Sequence, residues 1–394
     1  MKNLNFNQTV CIFLFLISII LFSNIWKFYP IYGSYLFQDW TYIYDFTICL
    51  NFTDRIDKSI NGLCPVILEY NFVYPEIWMK FSEIENRTIF KYLILIFIFF
   101  YLIFCLNILK KYNFYIKFFF IISPASILLI QRGNNDLIIF FLIYLFYFII
   151  ENYKNIYFAL LPYVVGILLK IYPVALIPIF FFKKMKIIKN KIFLSSLILI
   201  TLLSLYFSNF LFLKENYNTA GITLAYNSAV LFKILNYVTN IEIPIQIVSL
   251  LILIFIFLIS LHNKINLPKI DKKYEISFLI GSATIVSCFF LNEGFVYKLV
   301  FLVFTIPLIL EYKNKIKKKN FFYLLGILFI SLWIEYLTFV MEIIFDTNIS
   351  KMKINNLNLS NYIYAISIIF KNMIYWLLNI NLIYISTSLL FRKN

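Results

Sequence analysis

The acid in this chain best placed for chemistry is Asp39, in the stretch Gly33-Ser34-Tyr35-Leu36-Phe37-Gln38-Asp39-Trp40, about a dozen residues after the first long apolar run. Aromatic neighbours partly desolvate a carboxylate, and a partly desolvated carboxylate is a better base toward a hydroxyl proton. Asp45, six residues on, is the second candidate for that role. The competing reading of Asp39 is a helix N-cap over 40–46, a position that Asp favours. Both acids lie in the polar stretch 27–88, which holds Asp39, Asp45, Asp54, Asp57, Glu69, Glu76, Glu83 and Glu85, eight of the chain's 19 acids. It ends in Tyr74-Pro75-Glu76-Ile77-Trp78, where proline fixes a turn and the aromatics suit a membrane interface. Cys49 and Cys64 are the cysteines that lie outside the apolar runs, and a disulfide between them would pin the loop. Two independent thiols are the other reading. Cys11, Cys105 and Cys288 fall in apolar runs and read as small hydrophobes.

Three cations form the second chemical feature. Arg132 stands in Gln131-Arg132-Gly133-Asn134-Asn135-Asp136, Lys170 in Leu168-Leu169-Lys170-Ile171-Tyr172-Pro173, and Lys298 just after Asn292-Glu293-Gly294-Phe295-Val296-Tyr297. Each sits at a break marked by Gly, Asn or Pro, and three such cations at one depth of a cavity would suit a phosphate or pyrophosphate group. The alternative is that each snorkels to the interface by itself. Asp136 follows Arg132 by four residues and pairs with it if one helical turn joins them. Glu335 and Glu342 are seven apart, hence on one helical face, and should face a cavity or pair with a base such as Lys170 or Lys298. The lone His262 and the scattered cysteines make no transition-metal cluster, and there is no P-loop, dinucleotide fingerprint or zinc-protease motif. The reading therefore assigns no metal and no soluble nucleotide cofactor.

The elements that must hold these residues are membrane helices. The chain of 394 residues is 62% hydrophobic with a mean hydropathy of +0.86, whereas soluble domains are about 45–50% apolar. A polytopic membrane protein is the class that fits. The net charge of +16 comes from 35 basic and 19 acidic residues. Because the lysines sit in short loops between apolar runs, that excess points to topology and lipid headgroups, not nucleic acid. Apolar runs at 9–26, 90–109, 116–131, 136–150, 155–171, 173–182, 191–212, 245–261, 276–291, 299–310, 321–344 and 373–390 predict an all-α bundle of about 12 segments. Those at 136–150, 173–182, 276–291 and 299–310 are short, so they read as half-helices or extend into polar flanks. The whole, 1–394, reads as one integral membrane domain. The first run lacks a small-residue cleavage site and reads as a retained anchor.

Lysine and arginine set the orientation. With the N-terminus in the cytoplasm, the inside loops take Lys110, Lys111, Lys117, Lys154, Lys183–Lys191, Lys264–Lys273, Lys313–Lys319, Arg392 and Lys393. The short outside loops keep only Arg132, Lys170, Lys214, Lys233, Lys298, Lys351, Lys353 and Lys371. Both termini are then cytoplasmic and the acidic loop 27–88 is extracytoplasmic, in a multi-pass protein of a bacterial cytoplasmic membrane.

Taken together, the early loop acid in Gln38-Asp39-Trp40, the Phe72-Val73-Tyr74-Pro75 turn, Arg132-Gly133-Asn134-Asn135-Asp136 and Leu169-Lys170-Ile171-Tyr172-Pro173 resemble the GT-C class of multi-spanning glycosyltransferases. The closest likeness is to family 87-like, mannosyltransferase-like members that use polyprenyl-phosphate sugars. The likeness covers the first half of the chain, to about Lys184; those families often show Tyr-Pro-Pro where this chain has Tyr74-Pro75-Glu76. The resemblance implies Asp39 as general base with Asp45 behind it, and a donor phosphate near Arg132, Lys170 and Lys298. Tyr74, Pro75, Asn134, Asn135, Asp136, Tyr172, Glu293 and Glu335 would be supporting residues. It implies a polyprenyl-phosphate sugar as donor, a glycan or glycolipid acceptor, and transfer on the extracytoplasmic face with inversion. Two other readings compete. A transporter or flippase for a lipid-linked glycan would also need a basic cavity, but should show paired repeats, and none is evident. A lipid-linked glycan polymerase or ligase usually carries its large outer loop later in the chain.

Overall fold

The structure, a computed structural model, describes residues 87–153, 156–183, 191–207, 226–232, 245–263, 265–291, 296–345 and 359–392. Residues 27–86 of the acidic loop, with Asp39, Asp45, Cys49, Cys64, Tyr74 and Pro75, lie outside the described residues, and so does Glu293. Within them every regular element is helical. In chain order these are α1 (Arg87–Ile108), α2 (Phe114–Ile121), α3 (Pro124–Arg132), α4 (Asp136–Asn152), α5 (Leu160–Leu169), α6 (Ile177–Lys183), α7 (Lys191–Phe207), α8 (Ile245–His262), α9 (Lys272–Phe290), α10 (Ile306–Glu311), α11 (Lys318–Phe345) and α12 (Leu359–Leu390). Short 3₁₀ helices occupy Ile156–Ala159, Tyr172–Leu176, Val296–Phe304 and Tyr312–Asn314.

Among the described residues three stretches are long and apolar enough to cross a membrane, Lys272–Phe290, Lys318–Thr338 and Ile363–Leu390, and a fourth if the bent pair α2–α3 is one span. Leu161, Tyr206, Phe255 and Ile366 are among many large apolar side chains left exposed, as a hydrocarbon surround requires. The chain is thus a helical protein with membrane-spanning character. Of the four short runs, 276–291 extends into its polar flank to make α9. The runs 173–182 and 299–310 are broken, each a 3₁₀ helix leading into a short α-helix, α6 and α10. The run 116–131 is bent by 50° between α2 and α3. The cause of that bend is local: Pro124 cannot donate to the preceding turn. Ser123 takes over as the start of α3, its hydroxyl accepting from the Ser126 amide at 3.4 Å, while the Ser126 hydroxyl donates to the Phe120 carbonyl at 3.0 Å.

The chain divides into two compact units. The described part of one unit comprises 87–104 and the residues between 129 and 207. Its core is aromatic: Phe97, Phe100 and Phe104 of α1 pack around Phe141, and Phe104 stacks on Tyr144 at 3.9 Å. Phe146, Tyr163 and Phe180 form a ring triad joining α4, α5 and α6. The other unit comprises 105–128 and the described residues after 225. There α9 packs so closely on the 3₁₀ helix 296–304 that a Cβ at Gly281 would lie 2.8 Å from that of Phe304. The Ser277 hydroxyl donates to the Phe304 carbonyl at 2.7 Å, satisfying a backbone group that the 3₁₀ helix leaves open.

One end of this second unit gathers its exposed basic loops. Lys111 pairs with Glu311 at 2.6 Å, Arg392 with Glu275 at 2.7 Å, and Lys315 donates to the Lys269 carbonyl at 2.9 Å. The hydrogen bond that Lys111 donates to Glu311 raises the Lys111 pKa, and burial, with Glu311 second, raises that of the Tyr112 phenol. Lys117 is not in a loop but buried in α2, its amine donating to the Lys110 carbonyl at 3.2 Å.

Candidate functional site

Two of the sequence's marked breaks meet in the first unit. At the first, α3 ends at Arg132 because Gly133 takes a left-handed conformation, φ 54°. The Gly133 amide donates to the Ile130 carbonyl at 3.1 Å and the Asn134 amide to the Leu129 carbonyl at 3.4 Å. This is the Schellman pattern of a glycine-terminated helix. The chain then restarts at once: the Asn134 side-chain oxygen accepts the Asp136 amide at 2.8 Å, and Asp136 opens α4. A carboxylate in the first turn faces the positive end of the helix dipole. At the second break, α5 stops at Leu169. Lys170 turns extended (φ −156°, ψ 145°), and Pro173 sits in the first turn of the 3₁₀ helix 172–176.

These breaks place their polar side chains together. The Tyr172 hydroxyl donates to Asp136 Oδ1 at 2.8 Å, and Lys170 Nζ lies 3.5 Å from the same oxygen. Asp136 and Tyr172 are fully buried, and Lys170 is 8% exposed. An ammonium carries three donors, and Asp136 is one acceptor that Lys170 meets here. Gln131 and Asn135 line the same break, both buried. The Gln131 side-chain oxygen and both amide atoms of Asn135 have no hydrogen-bond partner among the described residues. Arg132, half-buried, ends α3 beside them. An orphaned buried amide is costly, about 1–3 kcal/mol per group, so the break is polar beyond what its own folding requires. The arrangement offers a cation, a fixed carboxylate and unused amide donors and acceptors, the groups that bind a phosphate and its attached hydroxyls.

The sequence expected Asp136 to pair with Arg132 within one helical turn. Gly133–Asn135 interrupt the helix between them, so no single helical turn joins the two, and Lys170 and Tyr172 bind Asp136. Lys298 belongs to the second unit, fully buried in the 3₁₀ helix 296–304.

The second unit holds a polar cluster that the sequence reading placed differently. Glu335 of α11 was expected to face a cavity or to pair with a base such as Lys170 or Lys298. Its partner is Lys371 of α12, with Nζ to Oε2 at 3.0 Å and exposures of 0% and 3% for the lysine and glutamate side chains. The Tyr375 hydroxyl approaches the same oxygen at 3.4 Å. Lys371 was assigned to a short outer loop. It lies instead about 18 Å along the axis of α12, because neutralisation by Glu335 lets a lysine sit mid-helix without ending the span. About two turns further, Asn379 donates to the Tyr226 hydroxyl at 2.8 Å. A sequence signal for this cluster existed: Lys371/Tyr375 and Asn372/Asn379 stand four and seven apart across the start of the apolar run 373–390, a helical stripe. Among the described residues no group of three His, Cys, Asp or Glu gathers as metal ligands. Neither a protein-family model, a curated protein nor a solved structure matches the chain.

Proposed function

We propose that the chain is an integral membrane glycosyltransferase that moves a sugar from a polyprenyl-phosphate donor to an acceptor hydroxyl. The observation that carries this reading is the convergence on Asp136. Arg132–Asp136 and Leu169–Pro173, read separately in the sequence, share one buried carboxylate bound by Lys170 and Tyr172. The donor phosphate binds Arg132 and Lys170, while Asn135 and Gln131, whose amide groups are unpartnered among the described residues, hydrogen-bond the donor's polar head. Asp136 acts as a positioning residue that orients Lys170 and Tyr172. Lys298 is proposed on sequence grounds alone as a further phosphate contact.

In the reaction, Asp39 accepts the proton of the acceptor hydroxyl as its oxygen attacks the anomeric carbon, with Asp45 the alternative base. The bond from that carbon to the phosphate oxygen breaks, and the polyprenyl phosphate leaves with the electron pair, stabilised by Arg132 and Lys170. A chain of about 12 membrane segments, the acidic loop on the outer face and both termini cytoplasmic completes the proposal.

The test is transfer by purified protein offered a panel of polyprenyl-phosphate sugars, read as release of polyprenyl phosphate. Asp39→Asn should lower turnover about 10²–10⁴-fold with donor affinity unchanged, and Lys170→Ala should weaken donor binding. Because Asn is as good an N-cap as Asp, near-normal turnover in Asp39→Asn would mean the acid is a cap. Near-normal turnover in Asp45→Asn as well would remove the loop-acid mechanism. The buried ion pair of the second unit favours a transporter as the second reading, since intramembrane charge pairs often mark translocation routes. Donor moved across vesicles without phosphate release would establish it.

A further inference from the structure

Beyond the transfer site, the second unit contains polar atoms that its own folding leaves unused. They lie along one side of α12. Asn372, Trp376 and Asn379 follow at four and three residues, so they share one helical face over about 10 Å of axis. Beside them, Tyr375 and the Lys371–Glu335 pair extend the stripe. Opposite stands the turn Tyr226–Ser228, bound through Asn379 to the Tyr226 hydroxyl and through the Ser228 amide to the Phe289 carbonyl at 2.9 Å. Aromatic rings close the cluster: Tyr226 meets Tyr375 at 5.0 Å and Phe289 at 5.1 Å, and Trp376 meets Phe289 at 5.1 Å and Phe290 at 5.5 Å.

The amides here are oriented by bonds that use one end of each. The Asn227 oxygen accepts the Ala229 and Val230 amides, both at 3.1 Å, which turns its NH₂ away from the turn. The Asn372 NH₂ donates to the Ile368 carbonyl at 2.8 Å, and that of Asn379 donates to Tyr226 and to the Tyr375 carbonyl. Four buried atoms then have no partner among the described residues: the donors Asn227 Nδ2 and Trp376 Nε1, and the acceptors Asn372 Oδ1 and Asn379 Oδ1. Asn227, Asn372 and Asn379 are at most 1% exposed.

A phosphate only accepts and an ammonium only donates. Two orphaned donors beside two orphaned acceptors match groups that do both, which are hydroxyls. We infer that the face formed by Tyr226, Asn227, Asn372, Trp376 and Asn379 is a site for a hydroxyl-rich ligand ring, a saccharide carried on an apolar chain. Its hydroxyls satisfy the four amide and indole atoms, and its carbon faces lie on the rings of Tyr226, Tyr375 and Trp376. The charged pair Glu335–Lys371 is mutually satisfied and edges the site. Admitting a ring requires the Tyr226–Ser228 turn to part from α12, at the expense of the Asn379–Tyr226 bond. Water supplies the same hydroxyl chemistry, so the experiment separates the two sources. The inference rests on α12 and its neighbours alone and stands even if no transferase activity is found.

The protein, purified in a polyoxyethylene detergent, is titrated with octyl glucoside and octyl maltoside. An octyl polyoxyethylene ether of equal chain length is the control, and the readouts are the unfolding midpoint and tryptophan emission. The expected result is a saturable upward shift with the glycosides only. Trp376→Phe keeps the ring contacts and removes one donor, and Asn227→Leu removes another. Each should weaken glycoside binding roughly tenfold, the worth of one hydrogen bond, while Lys111→Ala leaves it unchanged. A wild-type response equal for glycosides and ether overturns the inference and leaves water as the occupant. Glycoside binding that survives Trp376→Phe and Asn227→Leu intact overturns it too, by placing the sugar elsewhere.

Discussion

Lys170–Asp136 and Lys371–Glu335 are both lysine–carboxylate pairs withdrawn from solvent, one in each unit, and they stand on opposite kinds of backbone. Lys170 and Asp136 occupy ends: a residue just past α5 and the first residue of α4, brought near by a left-handed Gly133 and by Pro173. Lys371 and Glu335 occupy the interiors of two long uninterrupted helices, α12 and α11. The interior pair is tighter, 3.0 Å against 3.5 Å. A pair between continuous helices meets side chains, here each other and the Tyr375 hydroxyl at 3.4 Å. A pair at helix ends also lies beside backbone dipoles and the open amide atoms of Gln131 and Asn135. The first arrangement suits cohesion and the second suits binding.

The largest test of that contrast is on stability. Glu335→Leu strands a buried ammonium and should lower stability by about 3–5 kcal/mol, read as the loss of unfolding free energy in mixed micelles. Combining it with Lys371→Met removes both charges and should recover most of the loss. If the double variant is as unstable as the single, the ion pair is not what the helices lose. Asp136→Leu in the other unit should show less stability loss and more loss of donor binding.

Tyr172→Phe is the next step down. It deletes a hydroxyl donated to a charged group, worth about 1.5–3 kcal/mol, and leaves Lys170 as the carboxylate's neighbour. The expected signature is weakened donor binding with a modest fall in midpoint. A fall in midpoint alone would reduce Tyr172 to packing and cost the binding interpretation its orienting bond.

How far the sequence carried this contrast follows from the same physics. The breaks at Gly133–Asn135 and at Lys170–Pro173 were legible because glycine, asparagine and proline announce their backbone effects locally. The extension of 276–291 and the broken character of 173–182 and 299–310 were legible as lengths too short for a span. What no local signal carried was partner choice. Asp136 bonds to residues 34 and 36 positions away, Lys170 and Tyr172, which nothing beside it in the sequence announces. Lys371 read as a loop residue because hydropathy scores a lysine without its counter-ion, and the counter-ion sits on another helix. The orphaned atoms of Asn227 and Asn379 depend on which end of each amide is already bonded, which only the packed structure displays.

The smallest expected effect is at Gly133, where the backbone is the variable and no polar side-chain group is removed. At φ 54° a Cβ crowds the following carbonyl, so Gly133→Ala should cost about 1–2 kcal/mol. Gly133→Asn should cost less, because asparagine tolerates the left-handed region. Both substitutions keep Asp136, Lys170 and Tyr172. If the break is what brings the two ends together, Gly133→Ala should weaken donor binding in proportion to its loss of stability, and Gly133→Asn should restore both. If Gly133→Ala loses stability while donor binding stays at the wild-type value, the Lys170–Asp136–Tyr172 contact holds without the left-handed residue. The ends of α4 and α5 would then be fixed by the aromatic packing of Phe146, Tyr163 and Phe180 instead of by the helix break.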